Sequence, residues 1–195
     1  MSLINIFMAG KRTYRGLCYA ALAGTQFFCV ANACSTNCTI PVYFKGNYTD
    51  ETCNVVINNA SSNETVPLPR VAVASLSRDG NEAGSVSFEI TLKDCPVSRT
   101  ITLFFNSALS AADSDTGNLI NSSENEYSRN VQIRLRKENN SQVIIDSADS
   151  GQDYVIPSSG GTRSHTFTAS YYAKGNSTVT AGKVHAVAGV ELVYQ

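Results

Sequence analysis

The chain contains two histidines, His165 and His185, so any serine–histidine–carboxylate arrangement has to be built around one of them. Ser164 precedes His165, which puts a hydroxyl next to a base in sequence. No G-x-S-x-G elbow is present to hold that hydroxyl on a strained turn, and adjacent Ser-His pairs are common by chance. Both histidines therefore read as structural or surface residues, and no catalytic residue is assigned. Asp113, Asp115 and Gly117 begin like a calcium loop, but the twelve-residue ligand pattern is incomplete, so the segment reads as a polar loop. Arg134, Arg136 and Lys137 form a local basic run that reads as the solvated face of a strand rather than an anion site. With a formal net charge of −1 and no larger cluster of lysine and arginine to neutralise phosphates, nucleic-acid binding is excluded. Sequons such as those at Asn47, Asn63 and Asn176 read as Asn/Ser-rich loops. No metal or cofactor is expected.

Cysteine is the remaining reactive residue, at positions 18, 29, 34, 38, 53 and 95. Zinc would require paired C-x-x-C knuckles or nearby histidine, and these spacings supply neither. What the thiols do depends on the compartment, and the N-terminus addresses that. Lys11, Arg12 and Arg15 precede an uncharged run from Gly16 to Val30, which ends in Ala31-Asn32-Ala33. This is the layout of a signal peptide over residues 1–33, with Met8 as an alternative start. Gly24, Thr25 and Gln26 interrupt the apolar run, which is thin for a membrane span. Cleavage after Ala33 leaves 162 of the 195 residues as a single domain, 34–195, and removes three basic and no acidic residues, so the net charge falls to −4. Cys34, Cys38, Cys53 and Cys95 remain. Four cysteines in an exported chain predict disulfides, with three possible pairings.

The mature sequence consists of short alternating runs separated by turn residues, which predicts an all-β sandwich or barrel. Ile40, Val42 and Phe44 share one parity, as do Cys53, Val55 and Ile57. The stretch Val66-Pro67-Leu68-Pro69 is extended but cannot sit in the middle of a sheet, because proline donates no ladder bond. After the Asp79-Gly80 turn, Val86, Phe88, Ile90 and Leu92 face one way. Ile101, Leu103 and Phe105 follow, then Val131, Ile133 and Leu135, with Val143-Ile144-Ile145 as a shorter candidate. Phe167, Ala169, Tyr171 and Ala173 lead to Gly175. Finally Val184, Ala186, Ala188, Val190, Leu192 and Tyr194 share one parity up to the C-terminus. That last strand is either tucked inside its sheet or left as an uncovered edge, a pairing template for another chain.

Several ordered motifs bear on this choice. A strand, a glycine and Thr-Cys occur as Val42-Tyr43-Phe44-Lys45-Gly46 and Thr52-Cys53. Val66, Leu68, Pro69 and Val71 form a Val-x-Leu-Pro-x-Val element, and Phe88, Ile90, Leu92 and Cys95 an F-x-I-x-L-x-x-C block. Gly117, Leu119 and Asn121 make a Gly-x-Leu-x-Asn turn. Ala169, Tyr171-Tyr172-Ala173, Gly175 and Ala181-Gly182 follow, with Gly182 fourteenth from the end and Tyr194 penultimate. Over nearly the whole mature chain this set resembles the major-pilin family of chaperone–usher fimbriae.

The resemblance implies an incomplete immunoglobulin-like β-sandwich lacking its seventh strand, a Cys53–Cys95 disulfide, and a groove beside the last strand formed at Gly182, Val184, Ala186, Ala188, Val190, Leu192 and Tyr194. It implies three kinds of partner: a periplasmic pilus chaperone that lends a strand to the groove, an outer-membrane usher, and neighbouring pilin subunits whose N-terminal extensions replace that strand. The role is then structural, at the cell surface, and not enzymatic. An adaptor or terminator subunit is the alternative within the fimbria. A carbohydrate-binding adhesin is a further alternative, although tip adhesins resemble two-domain chains. One departure stands out, because the donor segment 34–39 is short and polar. Cleavage after Ala21-Leu22-Ala23 would instead free Phe27, Cys29 and Ala31. An extended strand would hold the α-carbons of Cys34 and Cys38 about 13 Å apart, beyond the roughly 7 Å that a disulfide spans, so a bond between them needs a turn.

Overall fold

The computed structural model describes residues 52–195. The export segment 1–33, the donor segment 34–39, the alternating run 40–44 and the cysteines Cys18, Cys29, Cys34 and Cys38 lie outside the described residues. The described residues form two β-sheets packed face to face. The strands in chain order are β1 (Asn54–Ile57), β2 (Glu82–Lys93), β3 (Arg99–Asn106), β4 (Leu119–Ile120), β5 (Val131–Lys137), β6 (Gln142–Val143), β7 (Gln152–Ile156), β8 (Arg163–Ala173) and β9 (Gly189–Tyr194). The larger sheet runs β1-β2-β8-β5-β4, with β6 also on β5, and the smaller runs β7-β3-β9. Every pairing is antiparallel. This is the immunoglobulin-like sandwich with its last strand left at a sheet edge.

Alternation places the core. Phe88, Ile90 and Leu92 of β2 face Ile101, Leu103 and Phe105 of β3, and all six are buried. Phe167 stacks on Phe88 at 5.7 Å between ring centres and meets Phe105 edge-on at 5.3 Å. Such aromatic pairs add about 0.5–1.5 kcal/mol each beyond the area they bury. Tyr154 of β7 is fully buried, and its hydroxyl donates to the Ile90 carbonyl at 3.0 Å, joining the two sheets through the core.

Two of the expected strands differ from the sequence reading, and β7 has no counterpart in it. Of Val143-Ile144-Ile145 only Val143 enters a ladder, as the second residue of β6, and β9 starts at Gly189 rather than at Val184. The reason for the second is visible in β3, which ends at Asn106 opposite Gly189, so nothing in the sheet remains to pair with the chain before it. The alternation from 184 to 188 records burial rather than ladder pairing.

β2 carries one irregularity, between Ala83 and Val86. Gly84 sits there at φ +66°, and a β-carbon on it would lie 2.9 Å from the Tyr171 ring and 3.0 Å from Val71. Only glycine accepts both the conformation and the contact, and the vacated space seats the Tyr171 ring.

Candidate functional site

An apolar cleft of about 500 Å³ opens between the two sheets along the last strand. Its floor is the core itself: Phe88 and Ile90 from β2, Phe105 from β3, Ile133 and Leu135 from β5, and Ala169 and Tyr171 from β8. One wall is the extended segment 64–68 and the other is 184–188 with Val190. Pro67 and Pro69 explain why the first wall stays out of both sheets, since each lacks a backbone donor. Past Tyr171, Val184 and His185, which line both hollows, the cleft continues into a second hollow of about 610 Å³ floored by Val71, Leu76, Val131 and Val179.

Val184, Ala186, Ala188 and Val190 line the first hollow, and Gly182 lines the second. Leu192 and Tyr194 pack half-buried on the core farther along β9. Gly182 is pressed so close to the chain at Tyr127 and Ser128 that a β-carbon would stand 2.5 Å from the Ser128 nitrogen. The far end of β9 is fastened differently. A disulfide joins Cys53 to Cys95 with their α-carbons 4.2 Å apart, and the Cys53 N–H donates to the Tyr194 hydroxyl at 2.8 Å. The penultimate side chain thereby ties the edge strand to the opposite sheet. Among the described residues no strand lies on the outer side of β9.

The other chemical candidates resolve into structural contacts. Ser164 and His165 are neighbours on a strand and so point to opposite faces. The serine hydroxyl meets Thr91 at 2.8 Å, while His165 Nδ1 lies 3.3 Å from Glu138 with its ring edge-on to Tyr154. Arg134 and Arg136 are not solvated as the sequence suggested. Arg134 Nη1 donates to Glu82 at 3.0 Å, Arg136 Nε to the same carboxylate at 3.2 Å, and Arg134 also stacks 3.8 Å above the Tyr172 ring. Lys137 donates to the Gly151 carbonyl at 2.8 Å. Burial opposes ionisation of Glu82, but the two guanidinium groups and Ser170 outweigh it and hold its carboxyl below the usual range.

The loop 111–118 lies on the outer face of β5. Asn118 Nδ2 and Thr116 Oγ1 both donate to Gln132 Oε1, at 2.8 and 2.7 Å, and Gln132 Nε2 donates to Asp113 at 2.9 Å. The Lys174 ammonium bonds both Asp113 and Asp115, supplying the positive charge that the acidic pair requires. Burial pushes the Asp113 carboxyl up, yet Lys174 and the N–H groups of Thr116 and Asp115 prevail and bring it down to about 2. A carboxyl lowered on folding adds stability above its unfolded value of about 4, and that stability is lost as pH falls toward the folded value. NMR titration of Asp113 should accordingly give a midpoint near 2, and Lys174→Gln should move it upward. A midpoint near 4 in the parent protein would contradict this geometry.

The family model described as "Fimbrial protein" matches residues 42–195. The type-1 fimbrial protein A chain of Escherichia coli strain K12 is 27% identical over 157 residues, spanning 79% of this chain and 82% of that protein. The F17 fimbrial protein of Escherichia coli is 30% identical over 161 residues, spanning 79% and 86%. The minor fimbrial subunit HifD of Haemophilus influenzae is 32% identical over 165 residues, spanning 78% and 73%. Among solved structures, the P pilus rod subunit PapA superposes with a TM-score of 0.57 at 17% identity, covering 73% of this chain and 99% of that one, a likeness of fold. Taken with the sandwich and its edge strand, these matches show that the chain belongs to the fimbrial protein family and is a structural fimbrial subunit, exported and assembled at the cell surface.

Proposed function

We propose that the cleft receives an extended strand from another polypeptide, and that the subunit enters a fimbria by exchanging one such strand for another. The observation that supports this is the pairing of an edge strand, β9, with an apolar cleft that leads directly to the core. An occupant can hydrogen-bond to the strand through its backbone and drop alternate side chains into the hollows. Four or five apolar side chains would contribute roughly 6–15 kcal/mol gross at about 1.5–3 kcal/mol each, part of which offsets the ordering of the occupant. In this reading a periplasmic chaperone supplies the first strand, and the outer-membrane usher oversees its replacement by the N-terminal extension of a neighbouring subunit. Residues 1–33 direct export, and 34–39 contribute to the donated extension. We assign no catalytic step, since Ser164 and His165 face apart.

The test is made in the cell. Tyr194→Ala, or removal of β9, should leave the subunit without chaperone protection and cut its periplasmic level to a small fraction of the parent's. Accumulation at the parent level, measured by immunoblot of periplasmic extracts, would count against strand acceptance at this edge.

A further inference from the structure

We propose that Asn121 and Ser110 are positioning residues that carry the open edge of the last strand beyond the end of its sheet partner, doubling the backbone edge that β9 alone presents. The inference rests on the strand-accepting reading above and adds to it the residues that set the length of the accepting edge.

The case is one of parity. β9 runs antiparallel to β3, with Tyr194 opposite Ile101 and Gly189 opposite Asn106, and the Gln195 N–H donates to the Thr100 carbonyl at 2.9 Å. Directly opposed residues in an antiparallel pair alternate between hydrogen-bonded and non-bonded. That single bond therefore assigns residues 189, 191, 193 and 195 as those whose N–H and C=O groups face β3. Val190, Leu192 and Tyr194 turn theirs to the open side. The ladder stops at Gly189 because β3 stops at Asn106.

The alternation continues upstream without a break, on side chains instead of a strand. The Val187 N–H donates to Ser110 Oγ at 2.8 Å, and the His185 N–H donates to Asn121 Oδ1 at 2.8 Å. The Lys183 N–H donates to the Glu126 carbonyl at 3.0 Å. Asn121 is only 6% exposed, and its Nδ2 donates to the carbonyls of Ser128 at 2.7 Å and Lys183 at 3.1 Å, so its amide is fixed from both ends. Odd-numbered residues from 183 onward are thus held from one side. Among the described residues no hydrogen bond takes the backbone N–H or C=O of Val184, Ala186 or Ala188, and their side chains line the cleft. The open edge therefore comprises six residues, 184, 186, 188, 190, 192 and 194, of which β9 supplies three.

Amide hydrogen exchange on the purified subunit tests this without any partner. Asn121→Ala should speed exchange at His185 about tenfold, and Ser110→Ala should do the same at Val187, the loss expected for one backbone hydrogen bond. Asn121→Asp keeps an oxygen for the His185 N–H but turns its second oxygen onto the carbonyls of Ser128 and Lys183, so that amide should exchange faster than in the parent there too. In a second arm, a synthetic peptide alternating valine and threonine, long enough to reach from Tyr194 to Gly182, should bind each alanine variant about five- to tenfold more weakly than the parent. Unchanged exchange at His185 in folded Asn121→Ala overturns the proposal. If that variant does not fold, Val187 in Ser110→Ala decides instead, because only a hydroxyl is removed there. A parent that binds no strand at all defeats the strand-accepting reading, while the exchange result still decides whether these two residues hold the edge.

Discussion

A strand that fills the cleft will raise the melting temperature of the isolated subunit by roughly 10–20 °C. The size of the effect follows from what is exposed. Ile57, Val66, Leu68, Tyr171, Val184 and Val190 line the cleft only half-buried above the buried floor, so apolar surface packed against the core waits for a cover. Four or five inserted side chains would supply roughly 6–15 kcal/mol gross, less the ordering of the strand, and a peptide at about 5,000 times its dissociation constant stabilises the subunit by about 5 kcal/mol. For a domain of this size each kcal/mol moves the midpoint by about 2–4 °C. Differential scanning fluorimetry with an alternating valine–threonine peptide measures the shift directly. A peptide of the same composition with its valines consecutive should do little, because only one face of a strand meets the floor. Equal shifts from both peptides would reduce the effect to nonspecific hydrophobic contact, and no shift from any strand would remove the proposed mode of assembly.

Loss of the Cys53–Cys95 bridge is the second large effect expected. The bond closes a loop of sequence separation 42, and opening it should destabilise the subunit by about 4 kcal/mol through the freedom regained by the unfolded chain. The paired variant Cys53→Ala with Cys95→Ala should melt roughly 8–16 °C lower. The consequence extends past stability, because the Cys53 N–H is the partner of the Tyr194 hydroxyl. Loosening β1 should therefore raise exchange at the C-terminal end of β9. If the double variant melts within about 2 °C of the parent, the bridge contributes far less than loop closure predicts.

The legible part of this fold was the part governed by burial on one face of a strand. Phe88, Ile90 and Leu92, or Phe167 and Ala169, announce themselves by period two, and all are buried. β7 escaped notice because it is five residues long and begins Gln-Asp, which leaves only Tyr154 and Ile156 to carry the signal. The outer face of β5 misled for another reason. Gln132, Arg134 and Arg136 alternate with apolar residues and look solvated, but the loop 111–118 and Glu82 come from distant sequence to satisfy them. Alternation also cannot separate a side chain buried in a ladder from one buried beside a loop, which is why residues 184 to 188 looked like more of the strand. The wall at 64–68 was visible through its prolines. Asn121 appeared only as the end of a turn motif, since nothing local indicates that its amide reaches the backbone at Lys183 and His185.

The join between Tyr194 and the disulfide-bonded strand also bears on mechanics. Tension applied along an occupant lying beside the last strand would act parallel to that strand, in shear, so its backbone bonds must yield together rather than one after another. The force then passes at Tyr194 into a strand that is covalently cross-linked to the end of β2. A fibre of such units would slip only when many weak bonds fail at once, and its lifetime under flow would be set by that collective step.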